Sequence, residues 1–123
     1  MIKTLAILAL LFITSPLFAG HEFLEKEYQA QWCREAGGVA EYALPDHSRV
    51  DCLTATHAIE FDFAVKWAES CGQALYYAMQ TGCKPGVVLI LEKQADKIHL
   101  KRLMDLADKY GITVWTMEQD DMR

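Results

Sequence analysis

Beyond its first 19 residues, the chain lacks a hydrophobic run long enough to span a bilayer, and it has no internal repeat or low-complexity tract. What remains is long enough for one domain with one core. Basic residues are also few, since 12 Lys and Arg stand against 17 Asp and Glu, a net charge of −5. This balance argues against a protein that holds nucleic acid by long-range attraction, although a bound cation could still reach phosphates.

The first 19 residues have the order of a secretory signal peptide. Lys3 precedes an apolar run over 5–13, which is followed by the helix-breaking pair Ser15-Pro16 and the small residue Ala19. We expect cleavage after Ala19, which leaves a single domain over 20–123 that is one charge more negative. The alternative is a buried or anchoring N-terminal helix. We therefore expect a bacterial protein that is periplasmic or secreted, with no membrane partner once the leader is removed.

All four cysteines lie in the expected mature part: Cys33, Cys52, Cys71 and Cys83. In an exported protein disulfides are the first expectation. Zinc is the alternative, but the chain has no Cys-x-x-Cys and no His at ligand spacing. If 64–81 is one helix, Cys71 and Cys83 lie about 18 Å apart, too far for a disulfide unless the chain folds back. We therefore favour the pair Cys33–Cys52.

Hydrophobic periodicity and turn residues predict eight elements in the order α-β-β-β-α-β-α-β. The predicted helices cover 22–36, 64–81 and 96–110, and the predicted strands cover 39–44, 49–54, 57–63, 86–92 and 112–118. A three-stranded meander followed by βαβ crossovers is typical of an α/β domain whose mixed sheet has helices on its faces.

Three carboxylates, Asp51, Glu60 and Asp62, interrupt the two apolar strands of the predicted hairpin. In each strand the acids alternate with apolar residues, so a common apolar face requires paired residue numbers with an odd sum. A short turn around Ala55-Thr56 then places Asp51 opposite Glu60, with Cβ atoms roughly 5 Å apart, and Arg49 opposite Asp62.

This register assumes that the apolar residues Val50 and Cys52 face the same side of the sheet. Facing carboxylates repel each other, whereas a divalent cation would bind both, because hard cations take several oxygen ligands. We therefore favour a cation site over the alternative, a solvated acidic face. Asp62 has two other interpretations: an ion pair with Arg49, or a cap on the helix beginning near Ala64.

A polar stripe follows the acidic strand along the second predicted helix. Lys66, Ser70, Gln73 and Tyr77 recur at spacings of four, three and four residues. A lysine beside the acids can stabilise a negative phosphoryl transition state or orient a water molecule. The alternative interpretation is the polar flank of an ordinary helix.

Together these features resemble the PD-(D/E)XK nuclease superfamily. Its core is α-β-β-β-α-β, with an Asp beginning one hairpin strand and Glu-x-Lys on the next; Asp51 and Glu60 match the two acids. Gln73 and Tyr77 match the Gln-x-x-x-Tyr of one subgroup. The resemblance covers roughly 22–92 and implies a restriction-endonuclease-like αβββαβ core, a mixed sheet flanked by helices, with a C-terminal αβ extension.

The chain departs from this family at one position, because Asp62 stands in place of the motif Lys. Some relatives carry an acid there, and others move the Lys onto the next helix, where Lys66 could represent it. If neither substitution works, the fold remains and catalysis is lost.

The resemblance also implies a role for each matched residue. Asp51 and Glu60 would hold Mg²⁺ or Mn²⁺ with the backbone carbonyl of Phe61 and, optionally, with Asp62. The remaining catalytic candidates are Lys66, to place the water, Gln73 and Tyr77, to position the site or the phosphates, and Glu25 from the first helix, with Glu22, Glu27 and Glu41 as alternatives to it.

We therefore expect an exported, metal-dependent nuclease-like protein that hydrolyses nucleic-acid phosphodiesters, with DNA favoured over RNA. The alternative is a catalytically degenerate module of the same fold that binds a protein or nucleic-acid partner without cleavage. A third possibility is a disulfide-stabilised envelope protein without a metal.

Overall fold

The computed structural model describes residues 20–123, so the predicted signal peptide, 1–19, lies outside the described residues. The helices are α1 (Glu25–Glu35), α2 (Trp67–Thr81) and α3 (Lys97–Tyr110), and the strands are β1 (Val39–Ala43), β2 (Arg49–Leu53), β3 (His57–Phe63), β4 (Lys84–Ile90) and β5 (Thr113–Met117). The predicted class, α/β with a mixed sheet flanked by helices, is confirmed. No helix in this part of the chain is both long and apolar enough to cross a membrane.

The five strands form one sheet in the order β1-β2-β3-β4-β5. β2 runs antiparallel to both of its neighbours, while β3, β4 and β5 run parallel to one another. β3 is therefore the middle strand, where the antiparallel and the parallel parts of the sheet meet.

Helices cover both faces of the sheet, and β4 shows how. Its residues Val88 and Ile90 pack in a buried cluster with Tyr28 of α1. Val87 and Leu89 point the other way, into a cluster formed with α2 and α3. A strand covered on both faces is expected to be apolar throughout, which is why this run predicted a central strand.

The predicted bounds of β4 are wrong by two residues, since the strand covers Lys84–Ile90 and not 86–92. Pro85 is tolerated because β4 pairs only with β3 at that point, at the strand's beginning. The strand ends early because the Glu92 N–H donates to the Asp96 carboxylate (2.8 Å), which turns the chain toward α3.

Two predicted helices begin later than the apolar pattern indicates. α1 begins at Glu25, where the Leu24 N–H donates to Glu27 Oε2 (2.6 Å), a local bond that fixes the helix start. The predicted helix 64–81 opens with a 3₁₀ turn over Ala64–Lys66 before α2.

Candidate functional site

β2 and β3 separate where the two acids face each other. The backbone ladder has the predicted register and ends at the pair Cys52–Ile59. At the next pair, side chains replace the ladder: the Asp51 N–H donates to Glu60 Oε1 (3.2 Å), and the Phe61 N–H donates to Asp51 Oδ2 (2.8 Å). Asp51 and Glu60 therefore lie between the diverging strands, each held by backbone of the strand opposite.

The prediction that Val50 and Cys52 share one face is wrong. Cys52 joins Cys33 of α1 in a disulfide, while Val50 packs in a cluster with Tyr77 of α2 on the other side of the sheet. The side-chain alternation of β2 is thus interrupted at Asp51, between the two. The disulfide itself is the pairing favoured from the sequence.

The ladder between β1 and β2 is interrupted at the same place. It skips the position where Glu41 would pair with Asp51, and Glu41 has a positive φ of 55°, uncommon outside glycine. Gln29 of α1 spans this interruption, since its Nε2 donates to the Asp51 carbonyl (2.8 Å) and to Glu41 Oε1 (3.1 Å). Gln29 escaped the sequence analysis, although its spacing of four residues from Glu25 puts both on one face of the helix.

A second pair of acids adjoins the first. Asp62 lies close to Glu25 of α1, whose charge raises the pKa of Asp62. Neither of the other interpretations of Asp62 holds in residues 20–123: Arg49 forms no salt bridge with it, and no side chain caps the helix start after Phe63.

Burial raises the pKa values of these carboxyl groups. Desolvation, reinforced by the charge of Asp51, raises the pKa of Glu60 to about 9. Desolvation and the charge of Glu25 raise the pKa of Asp62 to about 7, although Lys66 acts in the opposite direction. The pKa values of Asp51 and Glu25 are raised as well, again chiefly by burial. A group of acids with so little compensating charge is a typical functional-site signature.

The polar residues of α2 lie along this group. Lys66 is exposed at the beginning of the helix, where its charge lowers the pKa values of Asp62 and Glu25. Tyr77 is 8% exposed, and burial and then the charge of Glu60 raise the pKa of its hydroxyl. Gln73 is half-buried one turn before Tyr77. Lys66 therefore lies near Asp62, and Tyr77 lies near Glu60.

Other acids divide into those near the site and those away from it. Glu69 on the first turn of α2 was missed by the sequence analysis, and its charge raises the pKa values of Glu25 and Asp62. Glu41 lies close to Asp51, whose pKa it raises. Glu27 instead caps the start of α1, so Glu25 is the acid that this helix brings to the pair.

The donor set suits a cation bound by few protein ligands. No group of three or more His, Cys, Asp or Glu side chains within 20–123 is arranged to hold a metal ion. Mg²⁺, however, commonly takes one or two carboxylates and completes its shell with water and substrate phosphates. Asp51 and Glu60 offer two, and the Phe61 carbonyl faces the same gap, because a strand residue's N–H and C=O point to one side.

Comparisons with known protein families, with curated proteins and with solved structures find no match for this chain.

Proposed function

We propose that this chain is an exported, Mg²⁺- or Mn²⁺-dependent nuclease of the restriction-endonuclease-like fold, which hydrolyses phosphodiester bonds in nucleic acid, DNA in preference to RNA. The observation that carries the proposal is the pair Asp51 and Glu60 between diverging strands, where Glu60 accepts from the Asp51 N–H and Asp51 accepts from the Phe61 N–H. The element order αβββαβ supports it, as does the position of α2 beside the pair.

Each residue has a role that its surroundings support. A divalent ion on Asp51, Glu60 and the Phe61 carbonyl would supply Lewis-acid chemistry and offset phosphate charge. Lys66, exposed beside Asp62, is free to contact a phosphate or hold a water molecule. Tyr77 and Gln73 border the pair from α2, and the Glu25–Asp62 pair can hold or release a proton beside it.

Export belongs to the proposal because of the disulfide. Cys33 and Cys52 tie α1 to β2 directly beside Asp51. Disulfides persist in oxidising compartments, so a site that rests on one is suited to the periplasm or the extracellular medium.

A second candidate function is a binding module that retains the fold and does not cut. One observation favours it: Asp62 occupies the position of the family's lysine, and it pairs with another acid, Glu25. In this case the site would bind a cation or a partner without activating water.

The test compares purified, oxidised protein with two variants in which an acid becomes an amide. Glu60→Gln removes one of the paired acids, and Asp105→Asn is the matched control on the exposed face of α3. Plasmid and single-stranded DNA are incubated with Mn²⁺ or Mg²⁺, and Mn²⁺ binding is measured by calorimetry. We expect cutting in the wild type and in Asp105→Asn, and none above background in Glu60→Gln.

The outcomes separate the candidates. Binding of Mn²⁺ without cutting would favour the binding module. Absence of both cutting and Mn²⁺ binding would rule out the nuclease and the metal site together. Cutting that survives in Glu60→Gln would show that the activity does not come from this pair.

A further inference from the structure

Gln29 is a polar side chain placed inside the protein, 4% exposed, next to the acids of the site. Burying an amide is costly unless it forms hydrogen bonds. Its Nε2 donates two, to the Asp51 carbonyl at 2.8 Å and to Glu41 Oε1 at 3.1 Å. Both acceptors lie at the interruption of the β1–β2 ladder, so Gln29 belongs to the construction of the site and not to the apolar core.

The backbone of Asp51 depends on side chains in both directions. Its N–H donates to Glu60, and its carbonyl accepts from Gln29. Strand residues ordinarily satisfy these groups through neighbouring strands, and a buried group left without a partner is strongly disfavoured. Loss of the Gln29 amide would remove the partner of the Asp51 carbonyl, in the residue whose carboxylate accepts from Phe61.

We infer that Gln29 is a positioning residue, whose amide holds β2 open at Asp51 and thereby fixes the carboxylate for cation binding. The cation part of this inference rests on the proposed function, while the holding of β2 does not. Gln29 would act through the backbone of β2, because its Nε2 donates to the Asp51 carbonyl and to Glu41.

The same helix offers a matched control in Gln31. This glutamine is 6% exposed, and its side chain also makes two hydrogen bonds to other elements. It donates to the Asp121 carbonyl (2.6 Å) and accepts from the Arg123 N–H (2.9 Å), at the C-terminal segment. Gln29→Met and Gln31→Met therefore each replace a buried amide side chain with an apolar one of similar length. Only Gln29 borders the acids.

The experiment measures three properties of both variants. The amide exchange rates of Asp51 and Phe61 by NMR in metal-free protein report whether β2 is held. Calorimetry reports the Kd for Mn²⁺, and cleavage across a Mn²⁺ series separates metal affinity from kcat. For Gln29→Met we expect the exchange rates of both backbone amides to change. The Kd for Mn²⁺ should rise about 10- to 100-fold. The kcat should be largely recovered at saturating Mn²⁺. Gln31→Met should leave all three near the wild-type values, at a similar cost in Tm.

Unchanged exchange at Asp51 and Phe61 in Gln29→Met would overturn the inference, whatever the wild type does with metal. So would a Kd for Mn²⁺ that rises equally in both variants, because that would be general destabilisation. If the wild type neither binds Mn²⁺ nor cuts DNA, the proposed function fails by itself. The exchange data then still decide whether Gln29 holds β2.

Discussion

β3 and β4 lie side by side in the sheet, paired residue for residue, yet their buried chemistry differs. Along the last four pairs, β4 presents four aliphatic residues, whereas β3 presents Glu60 and Asp62 in alternation with phenylalanines. Glu60 and Asp62 are 4% and 6% exposed, nearly as buried as their partners Val87 and Leu89. Burial alone therefore does not distinguish the strands.

The difference lies in the other neighbouring strand of each, which is β5 for β4 and β2 for β3. β4 has β5 beside it along this stretch, with Leu89 paired to Thr116. β3 is no longer paired with β2 after Ile59, so its carboxylates lie in a gap lined by backbone N–H groups and other acids. Carboxylates persist inside a protein only where such partners or a proton stabilise them. The opening of the β2–β3 ladder, and not the depth of burial, therefore provides the space that the acids of β3 occupy.

The strongest test of the comparison moves an acid onto β4. Leu89→Asp puts a carboxylate directly beside Asp62, in a cluster that is apolar and closed. We expect a loss of more than about 4 kcal/mol in the free energy of unfolding, because no partner there can accept the charge. Urea denaturation followed by circular dichroism measures it. Leu89→Ala, with a cost of about 2–5 kcal/mol, gives the contribution of the cavity alone. Equal losses in the two variants would contradict the comparison.

The pH dependence of stability is the next largest effect. Raised carboxyl pKa values stabilise the folded protein fully below the unfolded-state values near 4, and this stability is lost as pH rises toward 7 for Asp62 and 9 for Glu60. In EDTA we expect the free energy of unfolding to fall by about 3–5 kcal/mol between pH 4.5 and pH 9, chiefly through Glu60, because its pKa is raised further than that of Asp62.

Urea denaturation at intervals of half a pH unit checks this expectation. Below pH 4 the exposed Asp46 acts the other way, because Ser48 and Tyr76 lower its pKa to about 2, so the series begins above that value. Stability that is level or rises from pH 4.5 to pH 9 would mean that the acids are compensated by charge that the structure does not show.

How much of this contrast could be predicted from the sequence depends on the range of the interactions. The apolar pattern of both strands and a short turn at Ala55-Thr56 predicted the observed register, which pairs Cys52 with Ile59, although the assumption that Val50 shares the face of Cys52 is wrong. The pair Cys33–Cys52 was favoured because the distance objection applied to Cys71–Cys83 and not to it, and the structure contains this disulfide. The paired acids and the α/β class are thus encoded locally.

The rest depends on side chains that meet only in the folded chain. Glu25 and Asp62, which are far apart in sequence, come close together only in the fold. Gln29 contacts a backbone carbonyl, and such a contact is not encoded by the type of residue that it meets. The interruption of β2 at Asp51 was missed because strict alternation was assumed through it. Where acidic side chains replace the ladder bonds of a strand, as at Asp51, the side-chain alternation breaks at the acid itself.

A neutral substitution in β3 should reduce the difference in pH-dependent stability that separates β3 from β4. Glu60→Gln keeps an oxygen that can accept from the Asp51 N–H and removes the carboxyl group whose pKa is about 9. At pH 8 we expect metal-free Glu60→Gln to be more stable than the wild type by about 2–3 kcal/mol, since the unfolded chain no longer gains by releasing this proton. At pH 4.5 the two should be nearly equal. A variant that is less stable at pH 8 would show that Glu60 is structural and not a strained site residue.

The smallest effect concerns the pair formed by Glu25 and Asp62, which a double-mutant cycle can isolate with Glu25→Gln and Asp62→Asn. At pH 5, below the pKa of about 7 for Asp62, the protonated Asp62 can donate to Glu25, which should give a favourable coupling of about 1 kcal/mol. At pH 9, above that pKa, the charges of the two groups oppose each other, so the coupling should become unfavourable and Asp62→Asn should stabilise the protein. The free energies of unfolding of the four proteins at the two pH values give both couplings. A coupling of the same sign at both pH values would mean that the two carboxyl groups do not share a proton, and the second pair would then be no part of a site that exchanges protons.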